Sequence, residues 1–146
     1  MKRHLLSLLM VCGFAANAQT QPNASVTETM DWLNKKLANG LGVARAEYKD
    51  KTCGLCFYTK TGVTGTCVHL GNIDPDQITA GDNGSGGRRY YFVAKQGLHA
   101  ATSTNKNGVA TNVDKFNFEL RPEAITPTLD QEMIDALRGL VRGCSK

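Results

Sequence analysis

Cysteines and histidines carry most of the potential chemistry in this 146-residue chain, which holds five of the former and three of the latter. Cys53-Gly54-Leu55-Cys56 has the C-x-x-C spacing of redox-active dithiols, a motif that normally opens a helix whose N-terminus lowers the thiol pKa. Here the β-branched and aromatic neighbours argue for a strand. Adding Cys67 and His69 supplies four soft or borderline ligands for tetrahedral zinc, in the order C-x2-C-x10-C-x-H. Cys67 and His69 also sketch a Cys–His dyad, although side chains two apart on a strand stand about 7 Å from one another. His99 precedes a polar stretch and has no obvious partner. The run Gly84-Ser85-Gly86-Gly87-Arg88-Arg89 offers backbone N–H groups and two guanidiniums to a phosphate or carboxylate. Ser85, Arg88 and Arg89 therefore form a candidate anion-binding loop. It lacks the phosphate-loop pattern and leads into a strand, so a flexible hairpin loop with a charged strand start explains it better. Asp74, Asp76 and Asp82 fall at turns and are too sparse for calcium. No motif asks for a cofactor or a metal, and none is expected.

The compartment decides between these chemistries. Lys2 and Arg3 precede an apolar run from Leu5 to Ala16, and Ala16-Asn17-Ala18 is a small-x-small peptidase site. Residues 1–18 therefore read as a signal peptide, cleaved before Gln19. Cys12 follows Val11, which is not the small residue a lipoprotein signal requires. No later segment has the 18 apolar residues of a membrane span. Lys2 and Arg3 leave with the leader, so the formal charge falls from +4 to +2. That balance is too mild for a nucleic-acid partner. A hydrophobic share of 41% and a charged share of 21% exclude disorder as a description of the whole chain. Four cysteines remain after cleavage, an even number in an exported protein, which favours paired disulfides.

The elements that position these residues follow from periodicity. Residues 19–24 form a flexible lead-in, and 25–146 a single α+β domain. Ser25-Val26-Thr27-Glu28 is a capping box, opening a helix whose stripe is Val26, Met30, Leu33 and Leu37. Trp32 lies beside that stripe, at the rim of the core. Residues 43–49 alternate loosely. A turn at Thr61-Gly62 joins strands 52–60 and 63–70 into a hairpin. Asp74-Pro75-Asp76 is a turn, residues 81–87 a flexible loop, 88–94 the strongest strand and 100–112 a long polar loop. Phe116, Phe118 and Leu120 alternate with polar residues as a half-buried strand. Thr128 to Gln131 repeats the capping-box pattern before a stripe of Leu129, Met133, Leu137, Leu140 and Cys144, in which Gly139 allows close packing on the sheet. Both helices are expected to bury their stripes against one curved antiparallel sheet.

Strand geometry then pairs the cysteines. About the Thr61-Gly62 turn, residues whose numbers sum to 123 lie opposite one another, and Cys56 and Cys67 do so. Cys53, three residues before Cys56, faces the core side with Leu55 and Phe57. Its remaining partner is Cys144, at the end of the last stripe. The expected bonds are Cys56–Cys67 and Cys53–Cys144.

Glu28-Thr29-Met30-Asp31-Trp32-Leu33 with Lys36-Leu37 resembles the opening helix of small exported bacterial proteins of unknown function with a pleckstrin-homology-like build. Cys53-Gly54-Leu55, the segment from Leu70 to Pro75 and the final helix from Ile134 to Cys144 are similar to later parts of that pattern. The resemblance implies a curved sheet or partial barrel with an N-terminal helix and a C-terminal capping helix. It carries no catalytic residues. Cys56, Cys67 and the long glycine-rich loop depart from it.

Together these readings point to an exported, periplasmic or extracellular, non-enzymatic binding domain. Its partner would be a protein, a peptide or an envelope component, and one form of it is a periplasmic immunity or inhibitor protein. Such a domain should expose a mixed patch near residues 90–92 or 100–112. The competing readings are a thiol–disulfide oxidoreductase through Cys53 and Cys56, a Cys–His hydrolase through Cys67 and His69, and a small zinc-binding domain.

Overall fold

The computed structural model describes residues 25–62 and 64–144. The expected signal peptide with Cys12, the expected lead-in 19–24, Val63 and the last two residues lie outside them. Ser25 opens the first helix by a reciprocal cap. Its hydroxyl accepts from the Glu28 amide (3.2 Å), and its own amide donates to the Glu28 carboxylate (2.8 Å). These bonds, the backbone one foremost, hold the Glu28 carboxyl below its ordinary range. Helix α1 (Val26–Leu37) buries Met30, Leu33 and Leu37, while Val26 at the start of the stripe stays exposed. Trp32 is half-buried against the core.

Among the described residues nine strands follow: β1 (Gly40–Leu41), β2 (Arg45–Lys49), β3 (Gly54–Tyr58), β4 (Gly65–His69), β5 (Thr79–Asp82), β6 (Arg88–Val93), β7 (Ala101–Thr104), β8 (Ala110–Val113) and β9 (Lys115–Leu120). Helix α2 (Leu129–Gly143) closes the chain. The α+β class and the two terminal helices agree with the sequence. The single curved sheet does not. The strands form two antiparallel sheets, β1-β9-β6-β5 and β2-β3-β4-β7-β8, and they do not close into a barrel. Among the described residues the chain changes sheet between β1 and β2, β4 and β5, β6 and β7, and β8 and β9. Between β4 and β5 two 3-10 turns, Leu70–Asn72 and Pro75–Gln77, intervene. Pro75 has no N–H to continue a ladder, and Asp74 turns its carboxylate onto the Asp76 amide (3.0 Å). The chain therefore re-enters as β5 in the other sheet.

The 100–112 segment is a hairpin, β7–β8, where the sequence suggested a loop. Its turn is built by Asn105, whose side-chain oxygen accepts from the amides of Asn107 (2.9 Å) and Val109 (3.0 Å), with Gly108 at φ +78°. Alternation is missing from the sequence because Ala110, Thr111 and Asn112 are all exposed, leaving no apolar face to read.

One core joins the two sheets and both helices. Its centre is aromatic: Phe57 of β3 packs on Phe116 and Phe118 of β9 with ring centroids 5.1 and 5.0 Å away. Helix α2 buries Leu129, Met133, Leu137, Leu140 and Val141. The expected capping box at Thr128 is absent. The Thr128 hydroxyl donates to Glu132 (2.8 Å), and Gln131 reaches forward to Asp135 (2.8 Å). The start of α2 is fixed instead by Asp130, which receives a bidentate hydrogen bond from Arg88 and the buried Tyr90 hydroxyl (2.9 Å). Burial, with the bond to Asp130 second, pushes the Tyr90 phenol above its ordinary range. Gly139 faces solvent with open space around it, so it serves no close packing.

Candidate functional site

The sulfurs are structural. Cys56 and Cys67 stand opposite in the β3–β4 ladder and are disulfide-bonded, their Cα atoms 3.9 Å apart. The hairpin strands are shorter than the sequence suggested, but Thr59 still bonds Thr64 across the turn (3.3 Å) in the same register. Cys53 and Cys144 form the second disulfide, with Cα atoms 5.7 Å apart. The expectation that Cys53 sits within the strand is corrected here. It caps the 3-10 turn Asp50–Thr52 in the left-handed conformation, φ +48°. That turn, and not strand alternation, aims its sulfur at the end of α2. The Tyr48 hydroxyl lies 3.3 Å from the Cys144 sulfur and 3.9 Å from that of Cys53.

These bonds bear on the sharper readings. A C-x-x-C dithiol acts by closing on itself, whereas Cys53 and Cys56 are bonded to different partners. Cys67, the nucleophile of the sketched dyad, is bridged. Metal-binding thiolates are committed to sulfur, and among the described residues no three His, Cys, Asp or Glu side chains gather as a metal cluster.

His69 ends β4, and its Nε2 lies 2.8 Å from the Thr102 hydroxyl, which donates its one proton to Asn112 Oδ1 (2.8 Å). That hydroxyl must then accept from the ring, so His69 carries its proton on Nε2. An imidazole in this tautomer is not poised to deprotonate the threonine. His99 pairs through Nδ1 with Asp114 (2.8 Å), both exposed. Nothing in the local sequence announces this pair, because a bend and a hairpin separate its members.

The glycine-rich loop turns its donors on itself. The Gly84 amide donates to Asp82 (2.5 Å), and those of Ser85 and Gly87 to Asn83 Oδ1 (both 2.9 Å). Of the two guanidiniums, Arg88 holds Asp130 and Arg89 holds Glu119 (2.7 Å). Ser85, Arg88 and Arg89 are thus placed close together in sequence but engaged separately. Tyr90 and Phe92, expected near an exposed patch, are fully buried.

What the fold does assemble is a groove of about 130 Å³ at the open edge between the sheets. Phe57 and Phe116 form its floor with Val43, and Thr59, Thr64, Thr66, Ser103 and Thr104 supply a hydroxyl rim. Thr66 donates to Ser103 (3.1 Å) across β4 and β7, and Thr59 faces Thr64 at 3.2 Å. Among the described residues no ionisable side chain lines it. The sequence hid this site because its residues come from β3, β4, β7 and β9 and the loops beside them. The one available signal was the polar, threonine- and asparagine-rich character of 100–112.

Among the described residues no helix is long and apolar enough to cross a membrane. The paired cysteines fit an oxidising compartment. No protein-family model matches the chain, and comparison with curated proteins and with solved structures gave no match.

Proposed function

We propose that this chain is an exported, disulfide-stapled binding domain that takes a partner protein or peptide at the groove between its sheets. The observation that carries this reading is the groove itself: a phenyl floor, a hydroxyl rim and, among the described residues, no ionisable lining residue. Small-molecule and cofactor sites occupy roughly 300–1,000 Å³, whereas this groove holds about 130 Å³. That suits a single protruding side chain of a partner, apolar at its tip and hydrogen-bonded at its base. The rest of the contact would spread over the neighbouring strand surface, as in an interface with one central anchor. An immunity or inhibitor role in the periplasm is the form this reading favours, since a rigid, stapled scaffold meets a partner at little conformational cost. The likeness to small exported proteins of pleckstrin-homology-like build belongs to the same proposal. The helix–strands–helix order and the bond from Cys53 to the last helix support it.

The test is a titration of the isotope-labelled protein with unlabelled periplasmic extract, followed by amide NMR. Signals of Thr66, Ser103 and Thr104 should broaden or shift, and Ser103→Tyr, which fills the groove, should suppress the response. A response confined to other surfaces, or one unchanged in Ser103→Tyr, refutes the groove as the docking site.

A further inference from the structure

Among the described residues four strands form the edges of the two sheets: β1, β5, β2 and β8. An open edge is a template for another chain, and proteins ordinarily blunt it. β1 is only two residues long. β5 ends on Gly81-Asp82, whose carboxylate is turned onto the adjoining loop. β2 carries Arg45, Glu47 and Lys49, and the Asn34 carboxamide of α1 occupies its outward backbone. The Ala46 amide donates to Asn34 Oδ1 (2.7 Å), and Asn34 Nδ2 donates to the Ala46 carbonyl (3.0 Å). β8 has no such device. Its Ala110-Thr111-Asn112-Val113 contains neither charge nor proline, and among the described residues no strand pairs with its outer side.

The ladder fixes which groups that edge offers. The Asn105 amide bonds the Val109 carbonyl (3.0 Å) where the hairpin begins, and β7 pairs β8 with Ser103 opposite Thr111 and Thr104 opposite Ala110. Hydrogen-bonded and non-bonded pairs alternate in an antiparallel ladder. Thr111 and Val113 therefore bond inward to β7, and the N–H and C=O groups of Ala110 and Asn112 face out.

We propose that β8 is a self-association edge, at which two copies pair antiparallel about a two-fold axis through Thr111 and join their sheets into one. Outward groups on Ala110 and Asn112 permit few registers. With Ala110 opposite Asn112 of the second copy, Val109 meets Val113 on both sides of the axis and Thr111 meets itself. Val109 is the most exposed large hydrophobic residue described, at 57%, and this register covers it with a β-branched partner. Centring on Ala110 would set Val109 against threonine. Centring on Asn112 would set it against Lys115. The chosen register also opposes no like charges between residues 108 and 114, and its two-fold makes the contact isologous and closed. A contact this short lies below the roughly 1,200 Å² of a stable interface, so association is reversible and emerges at high protein concentration. The proposal does not rest on the groove.

Sedimentation velocity of the chain, from dilute to near-millimolar protein, reads the association directly. The sedimentation coefficient should climb toward that of a dimer. Thr111→Lys leaves the exposed hairpin intact but sets two ammonium groups face to face, and it should hold the protein monomeric at low salt. Ala110→Pro removes only an outward N–H and should do the same. Thr111→Cys, oxidised with glutathione disulfide, should give a covalent dimer far faster than Ala110→Cys, because only residue 111 opposes itself at a close, non-bonded position. A native chain that stays monomeric throughout overturns the proposal. So does a Thr111→Lys variant that dimerises like the native chain, or equal cross-linking at residues 110 and 111.

Discussion

The two disulfides close loops of very different length, and that difference makes a quantitative prediction. Cys53 and Cys144 are 91 residues apart, and Cys56 and Cys67 are 11 apart. In the chain-entropy model a cross-link restricts the unfolded chain in proportion to the logarithm of the loop length, giving about 4.6 kcal/mol for the long loop and about 2.8 kcal/mol for the short one at 25 °C. The difference, about 1.9 kcal/mol, depends only on the ratio of the loop lengths and is more secure than either value. The paired replacements Cys53→Ala/Cys144→Ala and Cys56→Ala/Cys67→Ala should therefore lose stability in that order. Against a typical total of roughly 5–15 kcal/mol, the first loss is large enough to populate unfolded chain on modest heating. Urea unfolding of each variant, analysed with its own m-value because the unfolded states differ in compactness, measures both. The native fold should persist in the first variant, since α2 remains anchored by Leu129, Met133, Leu137, Leu140 and Val141. Equal losses, or a greater loss from the hairpin pair, would refute the entropic account.

Gly139 lies in the middle of α2 with nothing within 4 Å of an added Cβ, so Gly139→Ala should stabilise by about 1 kcal/mol, seen as a raised Tm; a lowered Tm would contradict the open surroundings. Asp130→Ala strands the buried Tyr90 hydroxyl and frees Arg88, which should cost about 2–3 kcal/mol. Tyr90→Phe should add little in that background, a coupling that a double-mutant cycle measures. Glu47 sits between Lys49 and Arg45, whose hydrogen bonds, Lys49 foremost, pull its carboxyl from 4.5 to about 2. Because the folded value is the lower one, the stabilisation is present above the ordinary carboxylate pKa and is lost as pH falls from about 4.5 through about 2. Carboxyl NMR should give a midpoint near 2 at low salt, moving upward in concentrated salt because the pair is exposed; an ordinary midpoint at low salt would show that the ion pairs do not persist.

Local signals carried much of the fold. The Ser25–Glu28 box needs only four neighbouring residues, and both helical stripes are read from spacing along one chain segment. The Cys56–Cys67 pairing needs only a turn position, since two strands joined by a short turn have one register. The Cys53–Cys144 pairing followed by elimination, although Cys53 reaches its partner from a left-handed turn residue, a conformation that no neighbouring residue type announces. The hairpin at 101–113 was invisible for a different reason. With one edge in water it needs no apolar alternation, and its sequence carries none.

The sequence by itself determined the α+β class, the capped N-terminal helix and the cysteine chemistry, because each depends on periodicity or count within one chain. Only the tertiary structure decided that the strands divide into two sheets, since each sheet pairs strands remote in the chain, β1 with β9 and β4 with β7. It alone brought Phe57, Thr66, Ser103 and Phe116 to a common groove and left β8 uncovered while Asn34 masks β2. Those outcomes are set by which surfaces meet in space, and residues remote in the chain have no shared pattern from which to read that meeting.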